Sequence, residues 1–169
     1  MVDDDNAVVD TVTRDEAHRK RLPHRTVMFF VFSPDGKILV TRRSMDKEFF
    51  KGYFSVILGG HVSAGESYED ALLKEMKEEL GSAGDHQHLD YFIKDIPQEV
   101  EHVSLFKVTI SPSKVELDPG EFMDGEFLSP RDIEEILTRE KFVPETEAVL
   151  DILRQKTGIR ITYPEDQPR

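Results

Sequence analysis

The sequence predicts an α/β fold, a mixed β-sheet with helices on both faces. Three observations predict it. Strand-like apolar runs lead the chain, helical segments with clear start and stop signals are interspersed among them, and one helix opens directly after a glycine-rich loop. The 169 residues suit one folded unit. It is expected over residues 1–163, with 164–169 as a polar, proline-containing tail.

Residues 1–23 are polar and charged, apart from a short apolar patch at Ala7, Val8, Val9 and Val12. Residues 25–33 are rich in Val and Phe and form a buried strand. Pro34-Asp35-Gly36 is a turn, and 37–41 is the returning strand of a hairpin. Residues 42–52 form a polar loop with Phe49 and Phe50 embedded, and 54–58 is a short apolar run ended by Gly59-Gly60. The clearest helix spans 67–80: Ser67 with Asp70 makes a capping box, acids fill the first turn, and Gly81 stops it. Strands are expected at 88–96, 100–110 and 125–128, and proline-opened helices at 130–138 and 144–156.

Charge and composition exclude several classes. Lys and Arg number 22 against 34 Asp and Glu, a net −12 that repels nucleic acid backbones. The absence of cysteine excludes disulfides, thiolate metal sites and cysteine catalysis. The longest apolar run, 27–32, is too short to span a bilayer, and the acidic first residues hold no signal core. A soluble cytoplasmic protein is expected, binding neither nucleic acid polymer nor membrane.

Glu75, Glu78 and Glu79 are the candidate chemistry-bearing residues. On a helix they leave one face within an arc of roughly 100°, beside the apolar stripe of Leu72, Met76 and Leu80. Like charges at this spacing repel, and a hard divalent cation relieves that cost. Alone, such a face also suits a solvated surface balanced by Lys74 and Lys77.

The stretch from Gly60 to Gly81 resembles the Nudix box: Gly, five residues, Glu, seven residues, Arg-Glu, an aliphatic, any residue, Glu-Glu, any residue, Gly and an aliphatic. Gly60, Glu66, Glu75, Met76, Glu78, Glu79 and Gly81 match without a gap. Lys74 replaces the arginine and supplies its charge without the bidentate fork, and Ser82 replaces the last aliphatic. The resemblance implies the Nudix α/β/α sandwich and Mg²⁺- or Mn²⁺-dependent hydrolysis of a small-molecule diphosphate, a nucleotide or nucleoside diphosphate derivative. It implies metal ligands at Glu75, Glu78, Glu79 and the Gly59 carbonyl, and a bracing role for Glu66. It leaves the general base open among Glu75, Glu78 and a downstream acid. A non-catalytic nucleotide- or metal-binding module is the bland alternative.

From His24 to Gly81 the chain is also similar to type-1 isopentenyl-diphosphate isomerase, through Leu39-Val-Thr-Arg-Arg-Ser44, Lys47, Gly52, Gly60-His61 and Gly65-Glu66-Ser67. Glu99 and Glu101 resemble that family's metal glutamates, and His24 and His61 its metal histidines. His18 resembles a third, one residue short in spacing. Arg43 and Lys47 fall where the isomerase grips diphosphate, and its catalytic cysteine falls at Gly59. The resemblance therefore implies an isomerase-like scaffold carrying hydrolase glutamates, with an isomerase-like diphosphate binder lacking isomerase activity as the alternative. Each candidate has a structural counterpart. The histidines suit hydrogen-bonded structural roles as well as a second metal site. Glu101 suits an exposed strand position as well as a late ligand to the helix-bound metal, and Arg42 and Arg43 suit a solvated strand end. Phe49, Phe50, Tyr53 and Phe54 suit core packing or base stacking. Oligomeric state is left open.

Overall fold

The computed structural model describes residues 1–97 and 99–164. Most of the expected tail lies outside the described residues. The elements in chain order are α1 (Arg14–Lys20), β1 (His24–Phe32), β2 (Ile38–Arg43), β3 (Phe54–Ser55), β4 (Leu58–His61), α2 (Tyr68–Leu80), β5 (Asp85–Ile96), β6 (Glu99–Thr109), β7 (Phe122–Leu128), α3 (Pro130–Leu137) and α4 (Thr146–Thr157).

The strands form one mixed sheet in the order β3-β2-β1-β6-β5, with β4 pairing β1 and β7 pairing β2. β1 is its axis. It runs parallel to β6 over its whole length, His24 opposite Glu101 through Phe32 opposite Thr109. Its residues 27–32 are buried one after another, because both faces are covered. Val27, Phe29 and Val31 pack with Leu72, Met76 and Leu80 of α2. Met28, Phe30 and Phe32 pack with Ile133 and Leu137 of α3 and Val149, Leu150 and Leu153 of α4. The sheet is thus sandwiched between α2 and the α3–α4 pair, the expected α/β/α arrangement.

Several boundaries differ from expectation, each for a reason of pairing. β1 and β2 meet only at Phe32 and Ile38, beside the turn. Beyond that point the hairpin splays, and β4 enters beside β1 with Thr26 opposite His61 and Met28 opposite Gly59. Gly59 and Gly60 therefore belong to a strand rather than ending one. Close approach requires them: a Cβ on Gly59 would stand 2.1 Å from the Val27 carbonyl oxygen. Arg42 and Arg43 prolong β2, because β7 pairs alongside them. Helix α1 was not expected. Its Thr13 cap accepts from the Glu16 amide, but it buries only Ala17, so no apolar stripe announces it.

Helix α2 forms as expected. Ser67 Oγ accepts from the Asp70 amide, Asp70 accepts from the Ser67 amide, and Gly81 closes the helix in the left-handed region. None of the described helices is long and apolar enough to cross a membrane.

Candidate active site

Helix α2 delivers its acids into a cleft of about 610 Å³, bounded by β4 and by the loops after β2 and before β7. Their environments are graded. Glu78 is exposed, Glu75 is half-buried, and Glu79 is buried with Oε2 lacking a hydrogen-bond partner among the described residues. Burial pushes Glu79 well above the ordinary carboxylate range. Glu75 and Glu121 reinforce the rise, and Lys47 and the Gly59 amide oppose it. Burial raises Glu75 too, against the pull of Lys74 and with Glu78 and Glu121 adding like charge. The Glu75 carboxylate rests on Gly60, which has no side chain to displace it.

The preceding loop is tied to the helix. Glu66 Oε2 accepts from the Ser63 amide at 2.9 Å and from Lys74 Nζ at 3.2 Å. Lys74 also stands 3.8 Å from Glu75 Oε1. One ammonium thus spans two glutamates, where an arginine would offer a planar fork.

Four cations line the cleft: Arg14, Arg43, Lys47 and Lys74. Lys47 is not free, since its Nζ lies 2.5 Å from Glu121 Oε2 and so joins the loop after β2 to the segment before β7. The Arg43 guanidinium reaches the Phe49 carbonyl. Arg14, carried in by α1, makes no hydrogen bond or ion pair among the described residues.

A second cluster sits across β1. His18, His24 and His61 each offer a ring nitrogen, all within 4.8 Å of one another, with the Nε2 atoms of His18 and His61 3.0 Å apart. His24 Nδ1 bonds the Leu22 carbonyl at 2.8 Å, and His18 Nδ1 faces Glu99 at 3.3 Å. Burial, with Arg14 and His24 nearby, lowers His61 to about 4, so its ring is neutral. Burial also disfavours charge on His24, yet Glu101 and the Leu22 carbonyl outweigh it and the net shift is upward. His24 Nε2 lies 3.7 Å from Glu101, near enough for charge and too far for a hydrogen bond. The glutamates are held by Lys94, at 2.7 Å from Glu99 and 3.0 Å from Glu101. Burial opposes ionisation of Glu101, but His24 and Lys94 prevail and hold it at about 2.

The NUDIX domain family model matches residues 22–151. The chain belongs to the Nudix family. It is 40% identical over 84 residues to the uncharacterized Nudix hydrolase SCO1686 of Streptomyces coelicolor, covering 50% of this chain and 46% of that one. It is 34% identical over 82 residues to an isopentenyl-diphosphate Delta-isomerase of Kocuria rhizophila, covering 48% and 46%. The chain spans about half the length of these curated relatives. The fold is that of DR0079 from Deinococcus radiodurans, with a TM-score of 0.73 at 23% identity, covering 92% of this chain and 96% of that one.

In this Nudix domain, Gly59, Glu75, Glu78 and Glu79 share one cleft with Arg43 and Lys47. Glu101 does not join them. The parallel pairing of β1 with β6 sets it opposite His24, and the pairing of β5 with β6 sets it opposite Lys94, so it belongs to the imidazole cluster. Nor is it an exposed strand residue, since it is buried. Sequence reasoning missed Arg14, Glu121 and Lys94. Thr13-x-x-Glu16 carried a capping signal for the helix of Arg14. Glu121 and Lys94 carried no local signal, since only tertiary pairing gives them partners.

Proposed function

We propose that this Nudix-family chain is a divalent-metal-dependent pyrophosphohydrolase that cleaves a diphosphate linkage in a nucleotide or nucleoside diphosphate derivative. One observation carries the reading: a buried oxygen of Glu79, without a hydrogen-bond partner among the described residues, belongs to a side chain lining a cleft where Glu75 and Glu121 add like charge. Buried carboxylates are ordinarily paired or metal-bound. Glu75, Glu78, Glu79 and the Gly59 carbonyl suit Mg²⁺ or Mn²⁺, which take oxygen ligands. Such an ion, when bound, neutralises phosphate charge and acidifies water.

The chain's own residues supply the rest. Arg14 and Arg43 offer guanidinium donors to phosphate oxygens, and Lys47 joins them on leaving Glu121. Glu75 and Glu78 are the catalytic candidates, and the raised proton affinity of Glu75 suits it to accept the proton of the attacking water. Lys74 orients Glu66 and Glu75 together.

Incubation with a panel of nucleotide diphosphates and Mg²⁺, assaying released phosphate or monophosphate, tests the reading. Metal-dependent turnover that falls about 10²–10⁴-fold in Glu75→Gln or Glu78→Gln supports it. No turnover on any diphosphate, or a Glu78→Gln enzyme as active as the parent, overturns it. The three imidazoles additionally suit a second ion of the Zn²⁺ or Mn²⁺ type, with Glu99 and the Leu22 carbonyl orienting two of the rings. An isomerase-like diphosphate binder is the weaker alternative, because the chain has no cysteine.

A further inference from the structure

The loop after β2 is pinned at its base and loose at its tip. At the base, the Ser44 amide donates to the Glu121 carbonyl at 2.8 Å and the Gly52 amide to the Arg43 carbonyl at 3.1 Å. At the tip, Met45, Asp46 and residues 48–51 are exposed, Phe49 at 58%. The amides of Asp46 and Lys47 reach back to Ser44, and the Phe50 carbonyl accepts from the Tyr53 amide. Among the described residues, two further polar ties hold the tip. The Arg43 guanidinium donates to the Phe49 carbonyl, and Lys47 Nζ lies 2.5 Å from Glu121 Oε2.

The partners in the Lys47–Glu121 tie are unequally free. Glu121 is a fixed post. Its amide donates to the Asp118 carbonyl at 3.0 Å, the Asp118 amide to the Glu79 carbonyl at 3.1 Å, and the Glu116 amide to the Leu80 carbonyl at 2.9 Å, so this segment is stitched to the last turn of α2. Lys47 ends a flexible four-carbon stem on the loose tip. Phe50 adds strain there: its φ of 54° lies in the left-handed region, which crowds a bulky side chain against its own backbone. Arg43 and Lys47 both line the cleft, so phosphate oxygens compete for them with the Phe49 carbonyl and the Glu121 carboxylate. Because Lys47 rides on the tip, an ammonium that turns from the wall towards phosphate draws the tip inward. A ligand shifts such an equilibrium only through a contact that one state offers and the other lacks, and the Lys47–phosphate contact is of that kind.

We propose that the tip at residues 45–51 is a lid, and that a bound diphosphate closes it by taking Lys47 from Glu121. Closure buries Phe49 over the cleft mouth and excludes water other than the attacking one. The proposal rests on the hydrolase reading and deepens it by adding a conformational step that the substrate itself drives.

The chain has no tryptophan, so Phe49→Trp gives a fluorophore that reports on the tip alone. The full chain with this substitution is titrated in Mg²⁺ with methylenediphosphonate, a diphosphate that resists hydrolysis, and binding is followed by calorimetry on the same samples. Binding is expected to shift the tryptophan emission to the blue, as an exposed ring becomes buried. Adding Lys47→Arg keeps the shift, and adding Lys47→Met abolishes it at concentrations that saturate that variant. Without ligand, Glu121→Gln speeds amide hydrogen exchange at residues 48–51 about tenfold, because the tip loses its post. Binding without a blue shift overturns the lid and leaves the hydrolase reading standing. A full shift in Lys47→Met, or exchange in Glu121→Gln equal to the parent's, does the same. No binding by calorimetry overturns the diphosphate reading and the lid together.

Discussion

Gly60 lies directly beneath the Glu75 carboxylate: a Cβ at this glycine would stand 2.3 Å from Glu75 Oε1. Gly60 is not in the left-handed region, so a methyl group there acts through this contact rather than through backbone strain. Gly60→Ala is expected to displace Glu75 and to lower kcat on the best diphosphate substrate by about a hundredfold. The melting temperature should move little by comparison. Steady-state kinetics beside a thermal melt checks this, and unchanged kcat would show that Glu75 needs no such seat.

Glu79 should tie stability to pH when no ion is present. Its folded value lies well above the ordinary 4.5, so the folded chain holds the proton more tightly than the unfolded chain. The stability this contributes is present below about pH 4.5 and is lost as pH rises through the raised folded value. Denaturation in EDTA across this window should show a decline that Glu79→Gln flattens. Saturating Mg²⁺ should flatten it as well. Parallel profiles for parent and variant in EDTA would contradict the assignment.

Lys94 holds the buried Glu101 and the half-buried Glu99 in place, and its removal leaves both without their ammonium partner. Lys94→Met should cost about 3–5 kcal/mol of unfolding free energy by chemical denaturation. Glu101, held at about 2 by His24 and Lys94, contributes stability that is present above pH 4.5 and lost as pH falls towards 2. That acid-sensitive share should shrink in Lys94→Met. A variant as stable as the parent would mean that Glu99 and Glu101 find other cations.

Lys74 stands where a guanidinium would reach two glutamates at once. Lys74→Arg is expected to keep or raise kcat, because the fork can serve Glu66 and Glu75 together. Lys74→Met should lower kcat and speed hydrogen exchange at the Ser63 amide, which Glu66 holds. Equal exchange in both variants would remove Lys74 from the brace.

The acidic helix was legible because its signals are local. Ser67, Asp70, the spacing of the three glutamates and Gly81 lie within a few turns, where capping and the helical period dictate geometry. The α/β/α layering was legible from the order of strand-like and helical segments and from the resemblance of 60–81 to the Nudix box, and the unbroken apolar run 27–32 fits the strand that the structure covers on both faces. Helix α1 escaped notice because it buries one alanine. The reach of β4 through Gly59 and Gly60 was hidden because glycines resemble a strand end until a partner strand claims them.

By itself, then, the sequence determined the helix that carries Glu75, Glu78 and Glu79, the order of apolar runs that makes the sheet, and the exclusion of cysteine chemistry. Only the tertiary structure decided that Glu101 faces Lys94 instead of the helix acids, and that Lys47 is engaged by Glu121. The physical reason is one of range. Helix caps and periodicity act between near neighbours in the chain, whereas partners across a sheet are chosen by strand register and burial, which no short stretch of residues contains.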